Sequence, residues 1–273
     1  MKFQNFWEEF KVIRWKPILV PPEHGIWGFT IEAALLGFSF SYDQNVIFSL
    51  GIVFLMFLNP FFKQAIKIYF QDVYHKRTFL RRYIALFVCA IFVFIYFIIL
   101  YSIYKNSLYS FWIGIGIGMV LGLILVLLEI IGYYQNTFLE FVGSMIPSFF
   151  AISMNSILEY QEDVIYFMFL VLLYRNFSSI FLTKEIVSIL KNRSDNKNSF
   201  WFIAFFHVLI ALVLYFYYFI SFKIFMILLL HLLSIVFLYF LATKNIIKKP
   251  QGIGWSQIVL GIAYIVFIIF LKD

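Results

Sequence analysis

Residues 46–66, VIFSLGIVFLMFLNPFFKQAI, hold no charged side chain before Lys63, and Lys67, Lys76, Arg77, Arg81 and Arg82 follow before the next apolar run begins at residue 83. A helix rising about 1.5 Å per residue needs roughly 20 residues to cross about 30 Å of hydrocarbon, so this stretch is long enough to span a bilayer. Its basic flank marks the side that stays in the cytoplasm. The pattern repeats along the chain, with nine apolar stretches at approximately 24–42, 46–66, 83–102, 109–128, 138–158, 164–183, 200–219, 221–240 and 254–271. Lys2, Lys11, Arg14 and Lys16 precede the first stretch, Arg175, Lys184, Lys191, Arg193 and Lys197 lie in or after the sixth, and Lys244, Lys248 and Lys249 follow the eighth. Eighteen of the 21 basic residues thus fall on one side, against Lys105, Lys223 and Lys272 on the other. The expected fold is all-α: a polytopic membrane bundle of about nine transmembrane helices, N-terminus cytoplasmic and C-terminus outside.

At 63% hydrophobic and 13% charged, the chain has too little polar surface to close as a soluble globule of 273 residues. The net charge of +7 sits in short gaps beside apolar spans, which suits the lipid bilayer and anionic headgroups rather than nucleic acid. The one cysteine, Cys89, lies inside a span and excludes an internal disulfide. No cleavable leader is expected, because Glu8, Glu9 and four basic residues precede the first span with no small-residue cleavage site.

Two parts are expected: residues 1–23 as a cytoplasmic interfacial amphipathic segment, and 24–273 as one transmembrane domain. Phe3, Phe6, Trp7 and Phe10 recur at helical spacing in the first part, which ends at Pro17 and the Pro21-Pro22 pair. Gly114, Gly118 and Gly122 form one smooth face of the fourth span for close helix packing; no strand precedes them, so a nucleotide loop does not fit. Pro147 inside the fifth span frees a backbone carbonyl, the mark of a kink and sometimes of a cavity.

Charged residues inside spans are costly and mark pairs or sites. Glu32 lies eight residues into the first span, on one helical face with His24 and Gly28, and Arg175 lies eight residues before the end of the sixth. Both come out about 12 Å deep from the cytoplasmic side, which makes them candidate partners. By the same arithmetic His207 and His231 lie roughly 10 and 13 Å deep, with Asn176 and Ser178 near them. This polar stratum predicts a cavity open to the cytoplasm and bounded by the spans of Glu32, Arg175 and His207; separate structural polar contacts are the alternative. The two histidines also fit a bis-His haem, a weak signal beside an ordinary hydrogen-bonding role, and zinc lacks a third ligand.

Lys63, Lys67, Asp72, His75, Lys76, Arg77, Arg81 and Arg82 follow the second span, and Lys184, Lys191, Arg193 and Lys197 follow the sixth. Two basic loops over one cavity would suit a phosphate or diphosphate headgroup; charge that merely sets topology is the competing reading.

The string Pro22-Glu23-His24-Gly25-Ile26-Trp27-Gly28, with Glu32 and Leu36-Gly37 after it, resembles the opening of the YwiC-like family of bacterial integral membrane proteins. Further echoes are Asn59-Pro60 with Lys63, Asp72 to Arg82, Tyr133-Tyr134, Leu139-Glu140, Gly143, Arg175, and Gly252-Ile253-Gly254-Trp255 with Gly261. The chain departs from that pattern at Gln257, where a Glu is usual, and at Gln135-Asn136, where the pattern is more basic. The resemblance implies a polytopic protein of a bacterial inner membrane and no defined chemistry. Nine spans with basic loops after the second and sixth look like the UbiA-type prenyltransferase layout, an analogy of fold only. Those enzymes hold Mg²⁺ with two Asp-rich motifs in these loops, whereas here Asp72, Glu185 and Asp195 are too sparse for a two-site cage; Mg²⁺ is the ion the analogy admits.

The expected activity is therefore binding of a lipidic or isoprenoid, phosphorylated substrate, with a divergent UbiA-like transferase as the enzymatic form. The candidate substrate-binding residues are Glu32, Arg175, Asn176, His207, His231, Lys63, Lys67, Asp72, Arg77 and Lys184, and the candidate acid–base groups are His24 and Glu23. A transporter is the alternative, although no inverted repeat is visible, and a non-catalytic assembly or haem-handling subunit of a respiratory complex is the third reading.

Overall fold

A computed structural model describes residues 24–41, 45–75, 79–104, 107–132, 136–156, 162–190, 197–217, 222–244, 246–247 and 250–270. These form helices α1 (His24–Ser41), α2 (Val46–Tyr74), α3 (Phe79–Tyr104), α4 (Tyr109–Ile131), α5 (Thr137–Met154), α6 (Glu162–Leu190), α7 (Lys197–Tyr217), α8 (Phe222–Thr243) and α9 (Pro250–Phe270), and no strand occurs among the described residues. The interfacial segment expected over 1–23 lies outside them. Asn45 caps α2 by accepting the Phe48 amide at 3.0 Å, and Asn136 caps α5 by accepting the Phe138 amide at 2.8 Å, so two helix starts follow from a short polar side chain before an apolar run.

Seven of the helices are long and apolar enough to cross a membrane: α2, α3, α4, α5, α6, α8 and α9. In α7 the apolar stretch among the described residues is the shorter Phe200–Val213. α1 packs against α2, α5, α6 and α9 and turns Thr30 and Glu32 into protein. The lipid-type surface is elsewhere: α3 exposes Phe87, Val93, Phe94 and Phe97, and α7 exposes Phe202, Phe205 and Phe206. Such a continuous apolar exterior is untenable in water and ordinary in hydrocarbon.

α6 is the second axis of the bundle, touching α1, α5, α7, α8 and α9. The glycine face of α4 packs on α5 as its spacing predicts: a Cβ at Gly118 would stand 3.0 Å from the Phe150 ring, and one at Gly114 would overlap Ser153. The helices α2 and α6 outrun the expected spans. Lys63, Lys67 and Asp72 are therefore helical residues of α2, and Lys184 is a helical residue of α6, rather than parts of loops. Lys63 and Lys67, four apart, share a helix face for that reason.

Candidate functional site

The ionisable residues placed at equal depth by the sequence do meet. Arg175 Nη2 donates to Glu32 Oε1 at 2.8 Å, with both side chains 1% exposed. The same nitrogen donates to the Gln257 carbonyl at 2.8 Å, and Nη1 donates to Ser179 Oγ. Ser179 Oγ in turn donates to Gln257 Oε1 at 2.9 Å. The Phe29 ring lies 6.0 Å from the guanidinium carbon, a cation–π distance. Helices α1, α6 and α9 are thus tied by one hydrogen-bonded knot. Gly261 is the residue that lets α9 come so close, since a Cβ there would overlap both Glu32 Oε1 and Arg175 Nη2. A buried pair of this kind is an asset only while both partners stay, because either charge alone is stranded in a low-dielectric site.

Two cavities flank this knot. The larger, about 580 Å³, lies among α2, α4 and α5, with Phe29 and Thr30 of α1 and Ile180 of α6 behind it. Tyr96, Gly118, Gly122, Pro147 and Phe150 line its apolar body, and Asn59, Lys63, Glu129 and Glu140 supply its polar groups. Its volume falls within the roughly 300–1,000 Å³ of small-molecule sites. The expected link between Pro147 and a cavity therefore holds. The smaller cavity, about 240 Å³, lies between α1, α6 and α9 and is lined by Glu32, Arg175, Ser179, Thr183, Lys184 and Gln257 among others. Phe29, Ile180 and Glu140 belong to the walls of both.

The end of the bundle where these walls meet is its basic end. Lys63 and Lys67 converge on Glu129 at 2.5 and 2.9 Å, and Lys184 reaches Glu140 at 2.8 Å and the Thr137 hydroxyl at 3.1 Å. The lysines expected to await a phosphate are therefore already ion-paired. Glu129 went unrecognised in the sequence. The depth comparison that paired Glu32 with Arg175 would have found it, had α2 been read as helical beyond residue 66.

The remaining candidates divide. Asn176 donates to the Ser144 carbonyl at 3.0 Å and to Ser148 Oγ at 3.5 Å, bracing the Pro147 turn of α5 from outside the cavities. His207 Nδ1 donates to the Ile203 carbonyl at 2.9 Å, and its ring packs on Tyr174 and Phe177. Ser178 Oγ donates to the Arg175 carbonyl at 2.9 Å, so at 3.0 Å it accepts from His231 Nε2, whose ring lies against Tyr264. Asn176, His207 and His231 line neither cavity, which corrects the expectation that the span of His207 bounds the site. Depth sets the layer of a residue; which way its helix turns it is a separate matter.

Asp72 is buried and paired with Arg81 at 3.1 Å, and no group of three or more His, Cys, Asp or Glu side chains gathers as for a metal among the described residues. The Mg²⁺ of the prenyltransferase analogy thus does not fit these residues. Glu23 and Arg77 lie outside the described residues, as does the side chain of His24. Comparison with family models, curated proteins and solved structures yields no match for this chain.

Proposed function

We propose that this chain is a multi-pass inner-membrane protein that binds a lipidic or isoprenoid molecule in an intramembrane cavity open at its basic, cytoplasmic end. The observation that carries the reading is the 580 Å³ apolar chamber roofed by Lys63, Glu129 and Glu140 and backed by a buried ion pair. A soluble metabolite would have no use for so apolar a body, while a lipid tail loses nothing on leaving the bilayer for it. The YwiC-like resemblance over nearly the whole chain and the UbiA-like order of nine crossings fit this reading. The fold analogy stops short of the chemistry, since the metal-binding acids are missing.

Lipid co-purification tests it. Gly122 lines the chamber with its nearest foreign atom 3.7 Å from a built Cβ, so Gly122→Phe would project a ring into the space. Mass spectrometry of the purified protein should show a specific lipid lost from Gly122→Phe and retained in Lys223→Ala, a change at an exposed position. Equal lipid profiles in all three proteins would end the proposal. Orientation has its own test, in a background where Cys89 is replaced by Ser. Lys223→Cys should label in intact cells, and Lys244→Cys, at the other end of α8, only after permeabilisation.

A further inference from the structure

The smaller cavity carries information about the ligand's polar end. Four of the residues that line it each carry a buried polar atom with no protein hydrogen-bond partner: Glu32 Oε2, Arg175 Nε, Gln257 Nε2 and Thr183 Oγ1. Glu32 and Arg175 are 1% exposed and Gln257 7%. The orientation of Gln257 follows from the network. Arg175 donates to Ser179, so the Ser179 proton is spent on Gln257 Oε1, and the amide nitrogen is the end left over. The lining residues therefore hold, unpaired, one carboxylate acceptor, two N–H donor groups and a threonine hydroxyl that serves either way.

Charge sharpens the choice. Arg175 and Lys184 face Glu32 and Glu140 across this chamber, so it is balanced. Around both cavities four cations, Lys63, Lys67, Arg175 and Lys184, meet three carboxylates, Glu32, Glu129 and Glu140, leaving one positive charge in excess among the described residues. A diphosphate would bring several negative charges into a low-dielectric chamber against the free oxygen of Glu32. A carbonyl would satisfy the donors and leave that oxygen unmet. A hydroxyl offers one proton and two lone pairs, which is the complement of one acceptor and two donors.

We infer that the smaller chamber holds the hydroxyl of an uncharged lipid alcohol, received by Glu32, Arg175 and Gln257, whose hydrocarbon chain passes Phe29 and Ile180 into the larger chamber. The inference rests on the lipid-binding reading above and replaces the phosphorylated headgroup expected from the basic gaps. The two walls share Phe29 and Ile180, so a single molecule bent around them uses both spaces.

The test uses the purified full chain in phosphatidylcholine nanodiscs with a tritiated C15 prenol, competed by the unlabelled prenol, its methyl ether and its diphosphate at equal mole fraction. The prenol should compete about tenfold better than the ether, which lacks the proton, and better than the diphosphate. Thr183→Val keeps the shape of an unpartnered side chain, and Gln257→Leu removes a donor to the oxygen that prenol and ether share; each should weaken both ligands about five- to tenfold. If Gln257→Leu fails to fold, Thr183→Val carries the comparison. A diphosphate or a methyl ether that competes as well as the prenol, or variants that bind the prenol as tightly as the wild type, would overturn the alcohol assignment while the lipid-binding reading stands. Absence of saturable prenol binding, with lipid co-purification still lost in Gly122→Phe, overturns the alcohol alone; absence of both overturns the two readings together.

Discussion

Two polar systems share the axis of α6 and differ in what they border. On one side Arg175 and Ser179 meet Glu32 and Gln257 beside a 240 Å³ cavity; on the other Ser178, one residue from Ser179, meets His231, and His207 packs dry against Tyr174 and Phe177. Adjacent residues on one helix thus serve a cavity wall and a packed seam. The difference lies in what surrounds the polar atoms left over. Both sides keep buried atoms without a protein partner, His207 Nε2 and His231 Nδ1 on one and Glu32 Oε2, Arg175 Nε and Gln257 Nε2 on the other, but only the second set belongs to residues that line a cavity. Unpaired polarity inside a membrane bundle therefore marks a candidate site only where its residues also border a space that a ligand can fill.

The largest expected effect breaks the comparison at its charged side. Arg175→Ala leaves Glu32 buried without its partner and removes the tie between α1 and α9, a cost of about 3–5 kcal/mol. Thermal unfolding followed by tryptophan fluorescence in detergent should show a severely lowered midpoint or no folded protein. The double replacement Glu32→Leu with Arg175→Met removes both charges and should be milder than Arg175→Ala alone. If the double variant is the worse of the two, the pair is not the charge-compensated unit described.

Gly261→Ala comes next. One methyl group at that position meets the Glu32 carboxylate and the guanidinium of Arg175, so α9 must shift or the pair must open, at about 1–3 kcal/mol. Gly116, with nothing within 4 Å of a built Cβ, is the control within the same fold, and Gly116→Ala should leave the midpoint unchanged or slightly raised. Equal effects at the two glycines would mean that α9 does not press on the pair.

These contrasts show what a sequence of this kind discloses. Glu32 and Arg175 were legible because ionisable residues in apolar runs are rare and their depths can be counted. The chamber was not legible, since Tyr96, Phe150 and Leu125 have the same chemistry whether they face a cavity, a neighbouring helix or lipid. Gln257 stood out only as a departure from the YwiC-like pattern, and its hydrogen bonds to α6 required the crossing of α9. Helix limits were legible where hydropathy changes and illegible where helices run on past it, as α2 does through Lys63 and Lys67 to Tyr74. That extension hid the pairing of both lysines with Glu129, which leaves the cavity mouth with a single positive charge in excess rather than an open basic cluster.

The smallest effect belongs to the histidine side and sharpens the contrast most. Ser178 Oγ gives its proton to the Arg175 carbonyl and takes one from His231 Nε2, so Ser178→Ala deprives a buried imidazole of its hydroxyl partner. Polar contacts between membrane helices average about 0.6 kcal/mol, because the separated helices find other partners, so a small drop in the unfolding midpoint is expected. The same change should leave lipid co-purification at the wild-type level, since Ser178 and His231 border neither cavity. Ser179→Ala, one residue along, removes the link that holds Gln257 toward Arg175 and should reduce bound lipid at a comparable stability cost. Bound lipid that falls equally in both variants would show that the histidine seam and the cavity wall act as one site, and the distinction between polarity that borders a cavity and polarity packed in a seam would lose its meaning here.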